Sequence, residues 1–298
     1  MKTVAVFGLG SMGYGMAQSL LRAGHTVHGF DVVPEQEERF RAEGGAGGDL
    51  AAIAPSLDAV VVVVLNAAQT EEVLFGDSGV VPMMRSGAVV LSCATVAPDF
   101  ARRMAASCAE RQVHYLDSPI SGGSVKAAEG RLSIMASGSA ATFTAAQPVL
   151  DATAETVFTM GDEAGAGSVM KSVNQLLAGV HIAAMAEAIT FGMKQGLAPD
   201  RFLEVISKCA GTSWMLENRA PHIVEGDYTP HSAVNIWLKD LGIVLDIAEA
   251  NGCEAPITAT ALGQYQQAAE MGFGREDDAA VAKVYASAAD ISLPGVSG

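Results

Sequence analysis

The fold is decided by residues 3–13, which read TVAVFGLGSMG. The β-branched run 3–7 predicts a strand, and residues 12–23 predict a helix. Between them, Gly8 permits a tight turn, Gly10 lets the backbone approach a pyrophosphate, and Gly13 allows the helix to pack on the strand. The helix N-terminus offers unpaired N–H groups to phosphates. The stretch therefore predicts a dinucleotide site formed by Gly8, Leu9, Gly10, Ser11, Met12 and Gly13.

A carboxylate follows the second predicted strand, which spans residues 26–30. Asp31 stands 18 residues after Gly13, where an acidic side chain accepts hydrogen bonds from the adenosine ribose and repels a 2′-phosphate. The next two residues, Val32 and Val33, provide neither a cation nor a hydroxyl for a phosphate. The sequence therefore predicts NAD rather than NADP, with Asp31 and Val32 on the ribose side. A glycine turn followed by an incidental surface aspartate is the alternative interpretation.

Short β-branched runs alternate with helical patterns through the first 160 residues, which is typical of a parallel sheet covered by helices. Further strands are predicted at residues 60–65, 88–92, 113–116, 132–136 and 156–159. The chain then becomes rich in Ala, Met and Leu and predicts one long helix. We predict an α/β fold: a Rossmann, doubly wound parallel sheet in 1–163, a long interdomain helix in 164–195, and an all-helical substrate and oligomerisation domain in 196–298.

The net charge excludes several classes of partner. The 298 residues include 33 acidic and 18 basic side chains, a formal charge of −15. Nucleic acids and membrane surfaces bind basic faces, so we expect neither as a partner. The longest uninterrupted apolar run, residues 59–65, is far shorter than the roughly 18–20 residues of a membrane span. No secretory signal is recognisable, so the expected location is the cytoplasm.

The cysteines and histidines do not predict a metal site. The four cysteines lie far apart along the chain, and the six histidines form no His-Glu-x-x-His pattern. We therefore expect reduced cysteines that fill the core, and no bound metal.

Two further stretches carry polar groups suited to binding a small acid. Residues 117–123 read DSPISGG, and their backbone N–H groups with the Ser121 hydroxyl can hold a carboxylate. An ordinary turn after a strand explains the same residues equally well. Lys171 and Asn174 share a face at the start of the long helix. A solvated lysine is one interpretation of Lys171, but a cation is slightly disfavoured at the start of a helix, which favours a functional role. For Lys239-Asp240, a surface ion pair is the favoured interpretation from the sequence.

Taken together, these motifs resemble the β-hydroxyacid dehydrogenase family, which includes 3-hydroxyisobutyrate dehydrogenases and tartronate semialdehyde reductases. The resemblance covers essentially the whole chain, because the glycine-rich turn, residues 117–123, Gly165-Ala166-Gly167 before Lys171, and Lys239-Asp240 stand in the family's order. It implies an NAD-dependent oxidoreductase that acts on a small hydroxy acid. It also implies a homodimer or homotetramer.

The resemblance assigns a role to each matching residue. Lys171 would be the catalytic acid or base, because oxidation of an alcohol needs a base for the hydroxyl proton, and Asn174 would orient the reacting oxygen. The substrate would be held by Ser121, Gly122, Gly123 and Asp240. Cofactor contacts would be added by Asn66, Thr95 and Lys239.

The sequence departs from the family pattern at two places. Gln175 follows Asn174 where many members have a second asparagine, and residues 92–94 read SCA where Asp-x-Ser is frequent. The overall likeness favours a four-carbon sugar acid as substrate, with tartronate semialdehyde, 3-hydroxyisobutyrate and 4-hydroxybutyrate as alternatives. An NAD-binding sensor would not need Lys171, Asn174 and the carboxylate turn together, so their joint presence favours an enzyme.

Overall fold

The computed structural model describes residues 1–296. The chain divides into two compact units, one from Met1 to Lys171 and the other from Ser172 onward. The division falls inside a helix of 29 residues, Ala166–Lys194, which confirms the predicted long helix. The predicted domain limits at residues 163 and 195, which treat this helix as a separate connector, stay predictions.

The first unit is built on one sheet. Its strands are β1 (Thr3–Phe7), β2 (Thr26–Phe30), β3 (Ala59–Val62), β4 (Val89–Ser92), β5 (His114–Asp117), β6 (Ile120–Ser121), β7 (Leu132–Ser137) and β8 (Ala154–Gly161). The first five are parallel in the order β2-β1-β3-β4-β5, which confirms the predicted Rossmann sheet. Beyond them, β7 runs antiparallel to β5 and β6 and parallel to β8. An apolar sequence pattern does not encode strand direction, so this reversal was not predicted.

Helices surround the sheet and form the second unit. Those that begin in the first unit are α1 (Gly13–Arg22), α2 (Pro34–Ala42), α3 (Leu50–Ile53), α4 (Ala67–Phe75), α5 (Pro98–Glu110), α6 (Gly123–Glu129), α7 (Ala140–Thr153) and α8 (Ala166–Lys194). Those that follow are α9 (Pro199–Ile206), α10 (Trp214–Glu225), α11 (Val234–Ala250), α12 (Pro256–Ala268) and α13 (Ala282–Ala289). Short 3₁₀ turns at Ala54–Ser56, Val81–Met83 and Asp278–Val281 and a π turn at Ala269–Phe273 complete the described structure.

Apolar layers bury both faces of the sheet. Val4 and Val6 belong to the layer on one face, whereas Ala5 and Phe7 belong to the layer on the other, because side chains alternate along a strand. All residues of β3 are buried, as expected of a central parallel strand. The second unit has a separate core around Tyr265, which is fully buried and donates a 2.8 Å hydrogen bond to the Gly179 carbonyl.

The third strand is shorter than the sequence predicts. It ends at Val62 rather than at Leu65, and the Leu65 side chain is 59% exposed. The next residue, Asn66, is the N-cap of α4, where its side chain accepts a 2.9 Å hydrogen bond from the Gln69 N–H. The apolar run therefore continues past the sheet edge and into the turn before the helix.

The prediction that the cysteines fill the core is correct for two of the four. Cys93 and Cys108 are buried, and burial raises the pKa of each thiol to about 12. Cys209 and Cys253 are exposed and lie in the second unit, where the prediction is wrong. A small apolar residue type alone does not show on which face of a helical unit it falls.

Helix α8 is long and apolar enough to span a membrane by length and composition. The sequence contains no long uninterrupted apolar run here because polar residues, among them His181 and Glu187, interrupt the apolar residues of the helix. In its most apolar window 39% of the residues are buried within the structure. The core helices of many globular proteins meet the same criterion, so it carries no assignment by itself.

Candidate functional site

The glycine-rich turn between β1 and α1 leaves no room for larger residues at two of its three glycines. Gly8 has φ +92°, and a Cβ on it would lie 2.4 Å from the Val63 carbonyl oxygen. A Cβ on Gly13 would lie 1.8 Å from the Gly8 carbonyl oxygen. At Gly10, by contrast, a Cβ would meet no atom within 4 Å. Gly8 and Gly13 therefore shape the turn, while Gly10 faces open space that a ligand can enter.

Asp31 lies directly after β2 and is bonded to that turn. Its Oδ2 accepts a 2.6 Å hydrogen bond from the Leu9 N–H, and its Oδ1 accepts one of 2.9 Å from the Val33 N–H. The carboxylate is therefore held at the edge of the turn, where the sequence predicts the adenosine ribose. The next residue, Val32, is 96% exposed.

The space beside the turn can accept an extended anionic ligand. A cavity of about 430 Å³ is lined by Leu9, Gly10 and Ser11 together with residues of α1, α2 and α6. The N-terminus of α1 begins at Gly13 and carries backbone N–H groups that the helix does not use. Open space at Gly10, a helix N-terminus and a fixed carboxylate together fit NAD, in the arrangement that a Rossmann turn provides.

Lys171 lies against the second predicted stretch of the site. It occupies the second turn of α8, its side chain is buried, and its Nζ donates a 2.9 Å hydrogen bond to the Ile120 carbonyl oxygen. Ile120 and Ser121 form β6. The structure therefore brings the amine and residues 120–123 together, although 51 residues separate the two partners along the chain.

The turn after β6 is shaped to present backbone N–H groups. Gly122 has φ +136° and Gly123 has φ +79°, conformations that residues with a Cβ rarely adopt. A Cβ on Gly123 would meet no atom within 4 Å, so the turn opens onto free space. Successive glycines in such conformations can present their N–H groups to an anion, and this turn follows the strand whose Ile120 carbonyl is bonded to Lys171; carboxylate binding here stays a prediction.

A buried carboxylate fixes the start of α8. Asp117 is 1% exposed, and its oxygens accept hydrogen bonds from the Gly165 N–H at 2.9 Å, the Ser168 N–H at 2.8 Å and the Ser168 hydroxyl at 2.7 Å. The Ser137 hydroxyl donates a fourth at 3.2 Å. Burial raises the pKa of Asp117, while these donors oppose the rise by favouring the carboxylate. Asp117 thus joins the end of β5 to the helix that carries Lys171.

In the second unit, four side chains form a polar chain. The Asn174 amide donates to the Gln175 carbonyl oxygen at 2.9 Å, and the Gln175 amide donates to Asp240 at 2.5 Å. Lys239 pairs with the other Asp240 oxygen at 2.6 Å. Asp240 is 3% exposed, so the interpretation of Lys239-Asp240 as a surface ion pair, which the sequence favours, is wrong. Gln175, at which the sequence departs from the family pattern, is the residue that joins Asn174 to Asp240.

The remaining predicted cofactor residues lie at the carboxyl ends of the central strands. Asn66 follows β3 as the N-cap of α4, and Thr95 lies in the loop between β4 and α5. Both loops leave the same edge of the parallel sheet, where ligands of this fold bind. The roles predicted for Asn66, Thr95, Lys239 and Asp240 stay predictions.

Sequence reasoning missed the residues that hold the predicted ones in place. The sequence pattern indicates Asp117 only as the first residue of its stretch, and it predicts no role for Ser137 or Ser168. An acid that ends a predicted buried strand is the signal that marks Asp117, because a buried carboxylate requires several donors. No local pattern predicts that those donors come from residues 137 and 165–168. Among the described residues, no group of three His, Cys, Asp or Glu side chains is placed to bind a metal.

Comparison with known families assigns both parts of the chain. Residues 3–161 match the family described as the NAD binding domain of 6-phosphogluconate dehydrogenase. Residues 165–285 match the family described as NAD-binding of NADP-dependent 3-hydroxyisobutyrate dehydrogenase. The two matches meet near the start of α8, and both describe nicotinamide dinucleotide enzymes.

Individual relatives match over almost the whole chain. The L-threonate dehydrogenase of Cupriavidus necator is 47% identical over 99% of this chain and 98% of that protein. The L-threonate dehydrogenase of Escherichia coli K12 is 45% identical over 98% of this chain and 96% of that protein. The crystal structure of a 3-hydroxyisobutyrate dehydrogenase from Salmonella typhimurium has a TM-score of 0.90 at 45% identity, covering 95% of this chain and 100% of that one.

Substitutions at Gly10 and Gly13 separate the two functions of the turn. Gly10→Ala leaves the free energy of unfolding within about 1 kcal/mol, since its methyl group meets no protein atom. It weakens NADH binding by about tenfold or more, because the methyl group occupies the space that a pyrophosphate enters. Gly13→Ala lowers the free energy of unfolding by about 3 kcal/mol or more, because the backbone must move. Urea unfolding measures the free energy of unfolding, and fluorescence titration measures NADH affinity. An undiminished NADH affinity of Gly10→Ala would contradict the placement of the pyrophosphate at Gly10.

Proposed function

The chain belongs to the β-hydroxyacid dehydrogenase family, and on this premise we propose that it oxidises L-threonate to the corresponding 2-oxo acid with NAD. The observation that carries the proposal is the buried Lys171 amine, 2.9 Å from the Ile120 carbonyl oxygen and next to the turn 121–123. The relatives named L-threonate dehydrogenase, which match nearly the full length, support the choice of substrate within the family.

Lys171 takes up the proton that the reaction releases. The substrate hydroxyl gives its proton to the Lys171 Nζ, the C–H bond at the same carbon breaks, and the carbon–oxygen double bond forms. NAD, when bound, supplies the acceptor for the hydride that leaves this carbon. Burial disfavours the charged form of an amine, which suits a base, and in the reverse direction the protonated amine donates to the carbonyl oxygen.

Residues 121–123 bind the substrate carboxylate. A chain with a formal charge of −15 repels anions at long range, so local donors must provide the attraction. The Ser121 hydroxyl and the N–H groups of Gly122 and Gly123 are such donors, and they lie beside the carbonyl to which Lys171 is bonded. The carboxylate of the substrate thereby orients its hydroxyl toward the amine.

Residues of the second unit carry the remaining roles that we propose. Asn174, one helical turn after Lys171, orients the reacting oxygen, and its amide is itself held by Gln175. Asp240 contributes to the substrate site by fixing Gln175 and holding Lys239, which contacts the cofactor. On the first unit, Asn66 and Thr95 contact the cofactor from the loops after β3 and β4.

A panel of hydroxy acids tests the proposed reaction. NADH formation, followed by absorbance, is expected with L-threonate at a kcat/KM well above the values for glycerate, 3-hydroxyisobutyrate and 4-hydroxybutyrate. A higher value with one of the other acids would contradict the proposed substrate while leaving the dehydrogenase class intact. If no acid of the panel gave NADH formation and the protein still bound NAD, the alternative of an NAD-binding sensor would be favoured.

Removal of the amine tests the role of Lys171. Lys171→Ala is expected to lower kcat by about 10²- to 10⁴-fold, the range of general acid–base catalysis, and to leave the NADH dissociation constant nearly unchanged. Lys194→Ala is the matched control, because Lys194 is an exposed lysine of the same helix. Near-normal turnover of Lys171→Ala in stopped-flow or steady-state assays would remove the proposed role.

We propose that the protein acts in the cytoplasm and forms a homodimer or homotetramer. Met170, Val173 and Leu177 of α8 are 43%, 48% and 49% exposed, and their spacing places them on one helix face. Exposed apolar stripes of this kind mark association surfaces. A second copy of the chain is the partner that the family resemblance implies.

Charged substitutions in this stripe test the assembly. Sedimentation or light scattering is expected to give the native protein a mass that is a multiple of the 30.6 kDa chain. The double variant Val173→Asp, Leu177→Asp is expected to have a mass closer to that of one chain, because charges buried in an interface oppose association. Val205→Asp, at a valine 46% exposed on α9, is the control. A native mass of one chain would contradict the proposal.

A further inference from the structure

Glu37, on the first turn of α2, is bonded to the strand end that carries Asp31. Its Oε1 accepts a 3.0 Å hydrogen bond from the Asp31 backbone N–H. Its side chain is only 25% exposed. The first turn of α2 also carries Glu35, which is exposed. Glu37 is therefore the second carboxylate fixed at the end of β2, and it is fixed by a bond to the residue predicted to contact the ribose.

The positive charges near this strand end are held by other groups. The Arg41 guanidinium lies 3.8 Å from the second oxygen of Glu37. The Arg39 guanidinium lies 4.3 Å from the centre of the Tyr14 ring, and its Nε is 3.3 Å from Glu43. A phosphate that approached Arg41 would therefore have to compete with Glu37.

We propose that Glu37 is a specificity-determining residue, which acts together with Asp31 to exclude a dinucleotide that carries a 2′-phosphate. This inference rests on the proposed use of NAD. One of the two matching families is described by an NADP-dependent enzyme, so the residues that select NAD in this chain need to be identified. Glu37 acts in two ways: it adds a fixed negative charge at the strand end that carries Asp31, and it pairs with Arg41.

The physical basis is repulsion between like charges at a partly exposed site. A phosphate monoester carries about −1.5 to −2 charges at pH 7. Its repulsion from one additional carboxylate a few ångströms away is modest, because water and salt screen it. The uncharged 2′-hydroxyl of NAD does not experience this repulsion. The effect of Glu37 must therefore appear in binding of NADPH and not of NADH.

The test compares Glu37→Gln with Glu38→Gln by fluorescence titration of NADH and NADPH. Glutamine keeps an oxygen that accepts the Asp31 N–H while it removes the charge. Glu38 is exposed on the same helix, so its substitution changes the net charge equally. Asp31→Ala serves as the reference for loss of the main ribose contact. Thermal unfolding verifies that each variant is folded.

We expect Glu37→Gln to lower the NADPH dissociation constant by about 3- to 10-fold. Its NADH dissociation constant should stay within about twofold of the native value. Glu38→Gln should show no such change in NADPH binding. An equal response of the two glutamine variants would overturn the inference, as would equal weakening of NADH and NADPH, which indicates only a structural role. These outcomes are independent of substrate. Inactivity toward L-threonate with the expected binding shift would contradict the proposed function alone.

Discussion

The buried carboxylate of Asp117 connects the parts of the chain from which the candidate site around Lys171 is built. Its donors come from the residues before and at the start of α8 and from the end of β7, while Asp117 itself ends β5. A carboxylate without these bonds would be strongly destabilising in this position. The first turns of α8 are therefore held against the sheet, and Lys171 projects from a fixed backbone toward the β6 carbonyl. The position of the Lys171 amine therefore depends on the hydrogen bonds that Asp117 accepts.

The two candidate anion sites of this acidic protein are both glycine turns. The net charge gives the surface a repulsive field for phosphates and carboxylates, so any anion site must be local. Both candidate sites use backbone N–H groups at glycine turns, at Gly10 beside α1 and at Gly122–Gly123 beside α6. Backbone donors attract an anion without a cationic side chain.

The sequence predicts the frame of this site better than its internal bonds. Residues 3–7, 26–30 and the glycines between them were located correctly because strand and turn chemistry are local. The reversal of β7 was not predicted, because apolar strands look alike in either direction. Lys171 and residues 121–123 were identified separately, but their contact spans 51 residues and depends on folding. Gln175 was noted as a departure from the family, whereas its bond to Asp240 became evident only in the structure.

The distribution of the cysteines has a practical consequence. Thiolates, not thiols, react with maleimides and disulfides, and burial keeps Cys93 and Cys108 protonated within the sheet unit. Cys209 and Cys253 are exposed and both belong to the helical unit. A fluorophore or spin label coupled through sulfur therefore marks one half of the molecule without any engineered cysteine, and the half that carries the glycine-rich turn remains unlabelled.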